Sequence, residues 1–221
     1  RLVCLSTTAN LNNPSIYFAS IRETATTYAV SVLFSDLFHL PQTVQAFDGI
    51  AECFLLDVED KNSACGLAAM AAGLIRMSRV HYYKPNDITV NALDEFVSCA
   101  RGNLSGLRVG IAGVGNIGTK VALRFAERGA SVHMWSRNFA KNVALASALS
   151  QILRGNGCLT AESSLLDAAR RADILLGCAP GIPCIDGRAV GVINTDAILI
   201  DVGNGTISAD GLKEAARRDL R

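Results

Sequence analysis

Glycines 113, 115 and 118 close the run Leu-Arg-Val-Gly-Ile-Ala-Gly-Val-Gly-Asn-Ile-Gly at residues 107–118. Gly-x-Gly-x-x-Gly behind an apolar run is the spacing of a strand that breaks sharply into a helix over an anion. Gly113 permits the tight turn, Gly115 lets the backbone approach a phosphate with no Cβ in the way, and Gly118 lets the helix pack on the strand. Asn116 and Ile117 complete the turn. Free N–H groups and about half a positive charge at the helix start attract a pyrophosphate without a lysine. The chemistry this predicts is the binding of a nicotinamide dinucleotide.

The cofactor's second phosphate has its own signal. About twenty residues past such glycines, a carboxylate ordinarily holds the ribose 2′-hydroxyl of NAD. This chain has Ser136, Arg137 and Asn138 there. No carboxylate repels a 2′-phosphate, and Arg137 can clamp one while stacking on adenine. NADP is therefore expected, with NAD less favoured. Cys178, Ala179 and Pro180 after one apolar run, and Val202 and Gly203 after the next, are expected against the cofactor as well, since small residues allow close contact with the nicotinamide ribose.

A different chemistry is available at Asp57, Asp60, Lys61 and Asn62. Lys61 can polarise or protonate a carbonyl or imine while hydride moves, and a neighbouring carboxylate can tune it. The competing reading of the same residues is a solvated turn that caps the following helix.

These groups need elements to position them. Leu107–Ala112 reads as a strand buried on both faces, and Ile117, Val121, Ala122 and Phe125 recur behind it at helical spacing. Further strands are expected at Ala130–Trp135, Gly157–Thr160, Ile174–Cys178 and Ala197–Val202. Helices are expected at Asn116–Arg128, Asn138–Leu153, Ser163–Arg171 and Ser208–Arg218. Such alternation makes an α/β fold with a doubly wound parallel sheet. In the first half, strands are expected at Leu2–Ser6 and Ala51–Val58, and helices at Ser15–Phe34, Ala64–Arg79 and Thr89–Ala100. The division falls near Arg101: residues 1–100 form a smaller α/β domain for substrate and catalysis, and residues 101–221 bind the nucleotide, with the reaction in the cleft between them. The last helix would normally feed another strand, so the nucleotide domain is expected to lack its C-terminal end.

Composition narrows the partners. A net charge of +1 without basic runs leaves no footprint for nucleic acid. The apolar stretch Cys65–Ile75 is too short to span a membrane. Seven cysteines, scattered and without a Cys-x-x-Cys pair, suit reduced thiols in a cytoplasmic protein. With three dispersed histidines, no metal site is expected. A small-molecule substrate is expected, and the apolar helices of the first half offer a homodimer seam.

Ala-Asp-Ile-Leu-Leu-Gly-Cys-Ala-Pro-Gly (172–181) followed by Asp-Ala-Ile-Leu-Ile-Asp-Val-Gly-Asn-Gly (196–205) is similar to the paired strand ends of methylene-tetrahydrofolate dehydrogenases, and Ser136-Arg137 resembles their NADP-associated turn. Residues 104–218 resemble the NAD(P)-binding Rossmann domain those enzymes share with amino-acid and shikimate dehydrogenases, 2-hydroxyacid dehydrogenases and adenosylhomocysteinase. The resemblance is to the shared domain, because each family's pattern is broken here. The Tyr-x-x-x-Lys pair of the tetrahydrofolate enzymes is absent from the first hundred residues. Hydroxyacid dehydrogenases carry an arginine where this chain has Gly203, Asn204 and Gly205, and a histidine whose place would fall beyond Arg221. Asp57 to Asn62 only loosely follow the lysine, aspartate and asparagine of adenosylhomocysteinase. The resemblance implies an NADP-dependent oxidoreductase that transfers hydride to or from a small carbonyl, imine or one-carbon substrate. A non-catalytic dinucleotide-binding module or sensor, and an adenosylhomocysteinase-like enzyme using bound NAD, stand as the alternatives.

Overall fold

The computed structural model describes residues 1–8, 13–61 and 66–220. It divides into two compact units, Arg1–Ile88 and Thr89–Arg221. The division falls ahead of the expected one because Val90, Leu93 and Val97 belong to the same apolar core as Val109 and Phe125. Polar bonds reinforce this: Arg124 donates to Asn91 at 2.7 Å, and Arg128 pairs with Asp94.

The first unit runs β1 (Leu2–Thr7), β2 (Ile16–Phe18), β3 (Arg22–Glu23), β4 (Tyr28–Phe34), α1 (Leu40–Phe47), β5 (Cys53–Asp57), α2 (Leu67–Leu74) and β6 (Arg79–Tyr83). Its sheet has the order β2-β4-β1-β5-β6, with β3 also paired to β4. β4, β1, β5 and β6 are mutually parallel, while β2 and β3 lie antiparallel on β4. The helix expected over Ser15–Phe34 is replaced by these strands. Tyr28-Ala-Val-Ser-Val-Leu-Phe is rich in β-branched and aromatic residues, which fit a pleated surface better than a helix. Its burial follows a period of two, with Val32 and Phe34 wholly inside, whereas Ile21 and Tyr28 lie exposed.

The apolar helix expected over Ala64–Arg79 is shorter. It stops at Leu74, where Ile75 turns extended. The N–H groups of Arg76, Met77 and Ser78 then donate to the Asp48 carboxylate, and Arg79 opens β6. Neither β6 nor α1, which starts with a proline in its first turn, was expected from the sequence.

The second unit opens on α3 (Pro85–Arg101), which begins within the first. It continues with β7 (Arg108–Ala112), α4 (Asn116–Glu127), β8 (Ser131–Trp135), α5 (Phe139–Ile152), β9 (Cys158–Ala161), α6 (Leu165–Ala169), β10 (Ile174–Gly177), α7 (Gly187–Gly191), β11 (Ile198–Asp201) and α8 (Ala209–Arg217). All five strands are parallel, in the order β11-β10-β7-β8-β9. This is the doubly wound Rossmann order, which reverses between β7 and β10. Val109, Ile111, Ala112 and Ile174 to Leu176 are buried, as central strands covered on both faces must be. The expected strands and helices of this half are present, with α7 in addition. Among the described residues, no helix is long and apolar enough to cross a membrane.

Candidate functional site

The glycine turn follows the last residue of β7. Gly113 donates its N–H to Trp135 O at 2.9 Å and adopts φ +101°, a conformation that disfavours other residues. A Cβ there would sit 2.7 Å from Ala179 N, because the ends of β7 and β10 close on each other. At Gly118 a Cβ would sit 2.1 Å from Gly113 O, so the helix can approach the strand only without one. Gly115 differs from both. It is the N-cap of α4 with no side-chain cap, and a Cβ on it meets nothing within 4 Å. The protein's own packing does not require that glycine. What its missing side chain keeps open is the space above uncapped N–H groups, which is what a pyrophosphate needs.

A groove of about 300 Å³ extends from this turn, lined by Gly113, Gly115, Ser136, Arg137, Asn138, Cys178, Ala179 and Pro180. Val114, Trp135, Lys141, Ile182 and Cys184 also line it and were not singled out from the sequence. Lys141 was nevertheless legible. Asn138 caps α5 by accepting Lys141 N–H at 3.0 Å, and an Asn N-cap places the third residue after it on the first helical turn. Ser136 Oγ donates to Asn138 O at 3.1 Å, which sets the bend at the end of β8. Arg137 is exposed, and among the described residues its guanidinium and the Lys141 ammonium have no hydrogen bond or ion pair. Among the described residues, no carboxylate lines the groove. The residues present fit a dinucleotide, with the glycine turn for its phosphates and two free cations at the far rim.

Asn116, Ile117, Gly118, Val202 and Gly203 do not line the groove. Asn116 starts α4, and Ile117 packs against the core of the second unit. Val202 and Gly203 both donate to Gly177 O, at 2.8 and 2.9 Å. Their loop clasps the one after β10: Gly181 N donates to Gly203 O at 3.1 Å, and Thr206 Oγ1 to Ala179 O at 2.6 Å. Asp201 closes the clasp by accepting Gly205 N–H at 2.9 Å and Thr206 N–H at 3.0 Å. Burial, helped by the charge of Asp201, pushes the Cys178 thiol up to about 12, and burial raises Cys184 too. Both stay protonated, so they offer the groove bulk and no nucleophile.

In the first unit, Asp57 ends β5 and is 2% exposed. Lys61 Nζ lies 2.8 Å from Asp57 Oδ2 and 3.1 Å from Ser6 Oγ. Ser6, near the end of β1, also donates to Asp57 Oδ2. Glu59 N–H reaches Asp57 Oδ1 at 2.7 Å, and Lys61 N–H reaches Thr7 Oγ1 at 2.9 Å. The buried carboxylate is thus paired and bonded at both oxygens, the condition under which a charge tolerates burial. Tyr83 stands opposite Asp57 in the sheet register. Burial raises its phenol well above the usual range, and nearby Cys4 and Asp57 raise it further. Asp60 faces another task, accepting Gly66 N–H at 3.2 Å ahead of α2. Asn62 lies outside the described residues. Ser6, Thr7 and Tyr83 were missed because only strand register brings them to Asp57. Nothing local in the sequence marks them.

The family model described as D-isomer specific 2-hydroxyacid dehydrogenase, NAD binding domain, matches residues 74–217. No curated protein sequence matches the chain. Among solved structures it is similar to a dipicolinate synthase chain from Bacillus halodurans, at 12% identity over 76% of this chain and 56% of that one, with a TM-score of 0.48. D-lactate dehydrogenase from Lactobacillus jensenii gives 17% identity over 85% and 60%, with a TM-score of 0.48. The Escherichia coli D-lactate dehydrogenase gives 12% over 98% and 80%, again at 0.48. The chain spans less than two thirds of the length of the first two. Of the families that share this nucleotide domain, the match falls to the hydroxyacid dehydrogenases and away from the amino-acid, shikimate and methylene-tetrahydrofolate enzymes. With the matched segment covering the glycine turn and the groove residues after β8 and β10, the chain belongs to the family of D-isomer specific 2-hydroxyacid dehydrogenases through their NAD-binding domain.

Proposed function

We propose that the chain serves an oxidoreductase that interconverts a small carbonyl, imine or one-carbon substrate with its reduced form, with NADP as the preferred cofactor. The family's description makes 2-oxo acids the first substrates to try. The observation that carries the reading is Gly115, open above an uncapped helix start where packing asks for no glycine. When bound, the nicotinamide supplies or accepts hydride at the substrate carbon. Support for NADP comes from Arg137 and Lys141, two cations that, among the described residues, have no ion-pair partner on a groove lined by no carboxylate. They hold the 2′-phosphate, Arg137 as a fork and Lys141 as a point charge.

Lys61 handles the proton. Asp57 and Ser6 fix its ammonium in place, and from there it polarises or protonates the substrate oxygen. Asn62 completes the set, with Asp60 shaping the turn. The loop after β11 supplies no cation for this purpose: it reads Gly203-Asn204-Gly205, and its carboxylate is spent on the loop's own N–H groups. Two finer readings accompany the proposal. Exposed Phe18, Ile21, Tyr28 and Ile50 support a homodimer seam on the first unit, and six free thiols among the described residues support a reducing, cytoplasmic setting.

Titration with NADPH and NADH tests the cofactor, and at least tenfold tighter NADPH is expected. Tighter NADH overturns the preference. NADPH oxidation is then followed with 2-oxo acids, cyclic imines and folates, and turnover of at least one is expected. Silence across the panel with tight dinucleotide binding turns the reading into a non-catalytic module.

A further inference from the structure

We infer that Ser131, His133 and Glu162 form a nucleophile and base relay that hydrolyses carboxylic esters carrying a negative charge, with Arg108 meeting the charge that develops on the ester oxygen. All four belong to the second unit, and the activity stands apart from the oxidoreductase reading.

Strand register assembles the relay. Side chains of a strand alternate between faces, so Ser131 and His133 share one face of β8, as Cys158, Thr160 and the following Glu162 do on β9. The pairs Arg108↔Ser131, Ser131↔Cys158 and His133↔Thr160 set these faces side by side. Arg108, Ser131 and Cys158 each begin their strand, whereas the dinucleotide groove lies at the carboxyl ends. Ser131 is only half-buried near the β9 edge of the sheet, which leaves a path for a substrate.

Hydrogen bonds fix the direction in which a proton can move. His133 Nδ1 lies 2.6 Å from Glu162 Oε1, where an ionised carboxylate can only accept. Nδ1 therefore holds the ring proton, and Nε2 is left to accept from Ser131 Oγ at 3.0 Å. Nucleophile, base and orienting carboxylate stand in the order that acyl transfer needs. Burial lowers the His133 pKa, with Arg108 adding to it and Glu162 opposing, so the imidazole is neutral at pH 7 and free to take a proton.

Arg108 supplies the electrostatics. Its Nη1 also donates to His133 Nε2 and its Nη2 to Asp167 O at 2.9 Å, while its Nε is buried with no hydrogen-bond partner among the described residues. An orphaned buried donor is a departure that a purely structural role leaves unexplained. Once Nε2 has taken the serine proton it can no longer accept, and the released Arg108 N–H turns to the oxyanion. Arg108 also lines an open cavity of about 470 Å³ with Arg170, Arg171 and Val192, and no carboxylate is among the described residues that line it. Asp167, 3.5 Å from Arg170, offsets only part of that charge. Such walls select an anionic ester.

The step balances without an oxidant or reductant. The Ser131 O–H bond breaks as Oγ bonds to the ester carbon, and the proton passes to His133 Nε2. The ester C–O bond then breaks, and the leaving oxygen takes that proton. Water repeats both stages on the acyl-serine and frees the acid.

The test follows 4-nitrophenolate released from 4-nitrophenyl hydrogen succinate by the whole chain, with acid-quenched samples mapped by peptide mass spectrometry. Release above the rate in buffer is expected, with a succinyl group on Ser131. Ser131→Ala is expected to lower kcat by about 100-fold, and Glu162→Gln, which disturbs the tautomer of the base, by at least tenfold with KM within about twofold. Melting followed by Trp135 should show both variants folded. The neutral 4-nitrophenyl acetate should show a KM about tenfold higher, and equal KM values would overturn the anion selectivity. Release by Ser131→Ala within about twofold of the unaltered chain overturns the relay, as does a succinyl group found only on Cys158 or lysine, or an unaltered chain no faster than buffer.

Discussion

At the carboxyl ends of β7 and β10 the second unit offers main chain: uncapped N–H groups and a gap where Gly115 has no side chain. At the carboxyl ends of β1 and β5 the first unit offers side chains, an ammonium and a carboxylate bridged by a hydroxyl. The parallel strands of both sheets reverse their order at that place. The difference teaches that similar topology can carry two kinds of site with opposite weaknesses. A main-chain site fails when an atom is added. A buried charged site fails when one is removed, because the remaining partner keeps its desolvation cost.

The sharpest way to break the comparison lies within the glycine turn. Gly118→Ala would force a Cβ to 2.1 Å from a backbone oxygen, so strand and helix must separate. Dinucleotide affinity is expected to fall by more than 100-fold, with a clear loss of thermal stability. Removing an atom from the other site comes next in size. Asp57→Ala leaves the Lys61 ammonium without its carboxylate beside the buried Ser6 hydroxyl, and a loss of about 3–5 kcal/mol in denaturant unfolding is expected. Adding Lys61→Met should return part of that loss, and a double-mutant cycle that is simply additive would deny the coupling.

Gly115→Ala separates function from packing. The new methyl meets nothing in the protein, so the melting temperature should hardly move while dinucleotide affinity falls at least tenfold. Trp135 lines the groove and is the chain's single tryptophan, so its fluorescence reports the binding. Arg137→Ser should be smaller and selective. NADPH weakens by about tenfold, or about 1.4 kcal/mol, and NADH by twofold or less. Equal losses for both cofactors would make Arg137 a general anion contact and remove the case for a 2′-phosphate.

The two sites also differ in how far the sequence revealed them. Gly113 to Gly118 are contiguous and each answers a local constraint, so strand, turn and helix could be read together. Asp57 and Lys61 were visible for a similar reason, being four residues apart. Ser6 and Tyr83 were not, because the register Leu5↔Leu56 and Asp57↔Tyr83 brings them in and register is a property of the folded sheet. The same limit explains the helix expected over Ser15–Phe34. Ile21, Ala25, Tyr28 and Val32 have helical spacing, yet pairing of β4 with β1 buried Val32 and Phe34 and left Tyr28 outside.

Acid distinguishes the units by the smallest expected effect, and spectroscopy can assign it because all four tyrosines, at 17, 28, 82 and 83, lie in the first unit and the tryptophan in the second. His133 sits in β8, its Nδ1 2.6 Å from Glu162 Oε1 and its Nε2 against Arg108. Burial lowers its pKa, Arg108 lowers it further, and Glu162 only partly compensates. A folded value below the unfolded 6.5 means that the unfolded chain binds the proton more readily, so this stability is complete above pH 6.5 and lost as the pH falls. In the first unit, desolvation of Asp48 is outweighed by the N–H groups of Arg76, Ser78 and Met77, which hold its carboxyl at about 2. Its contribution is complete above the unfolded value of 3.8 and is lost only as pH falls toward 2. Between pH 7 and 5, melting followed by Trp135 should therefore drop by a few degrees while melting followed by tyrosine holds. His133→Gln should flatten the tryptophan curve, and a tyrosine signal that falls in step with it would mean that the two units unfold as one.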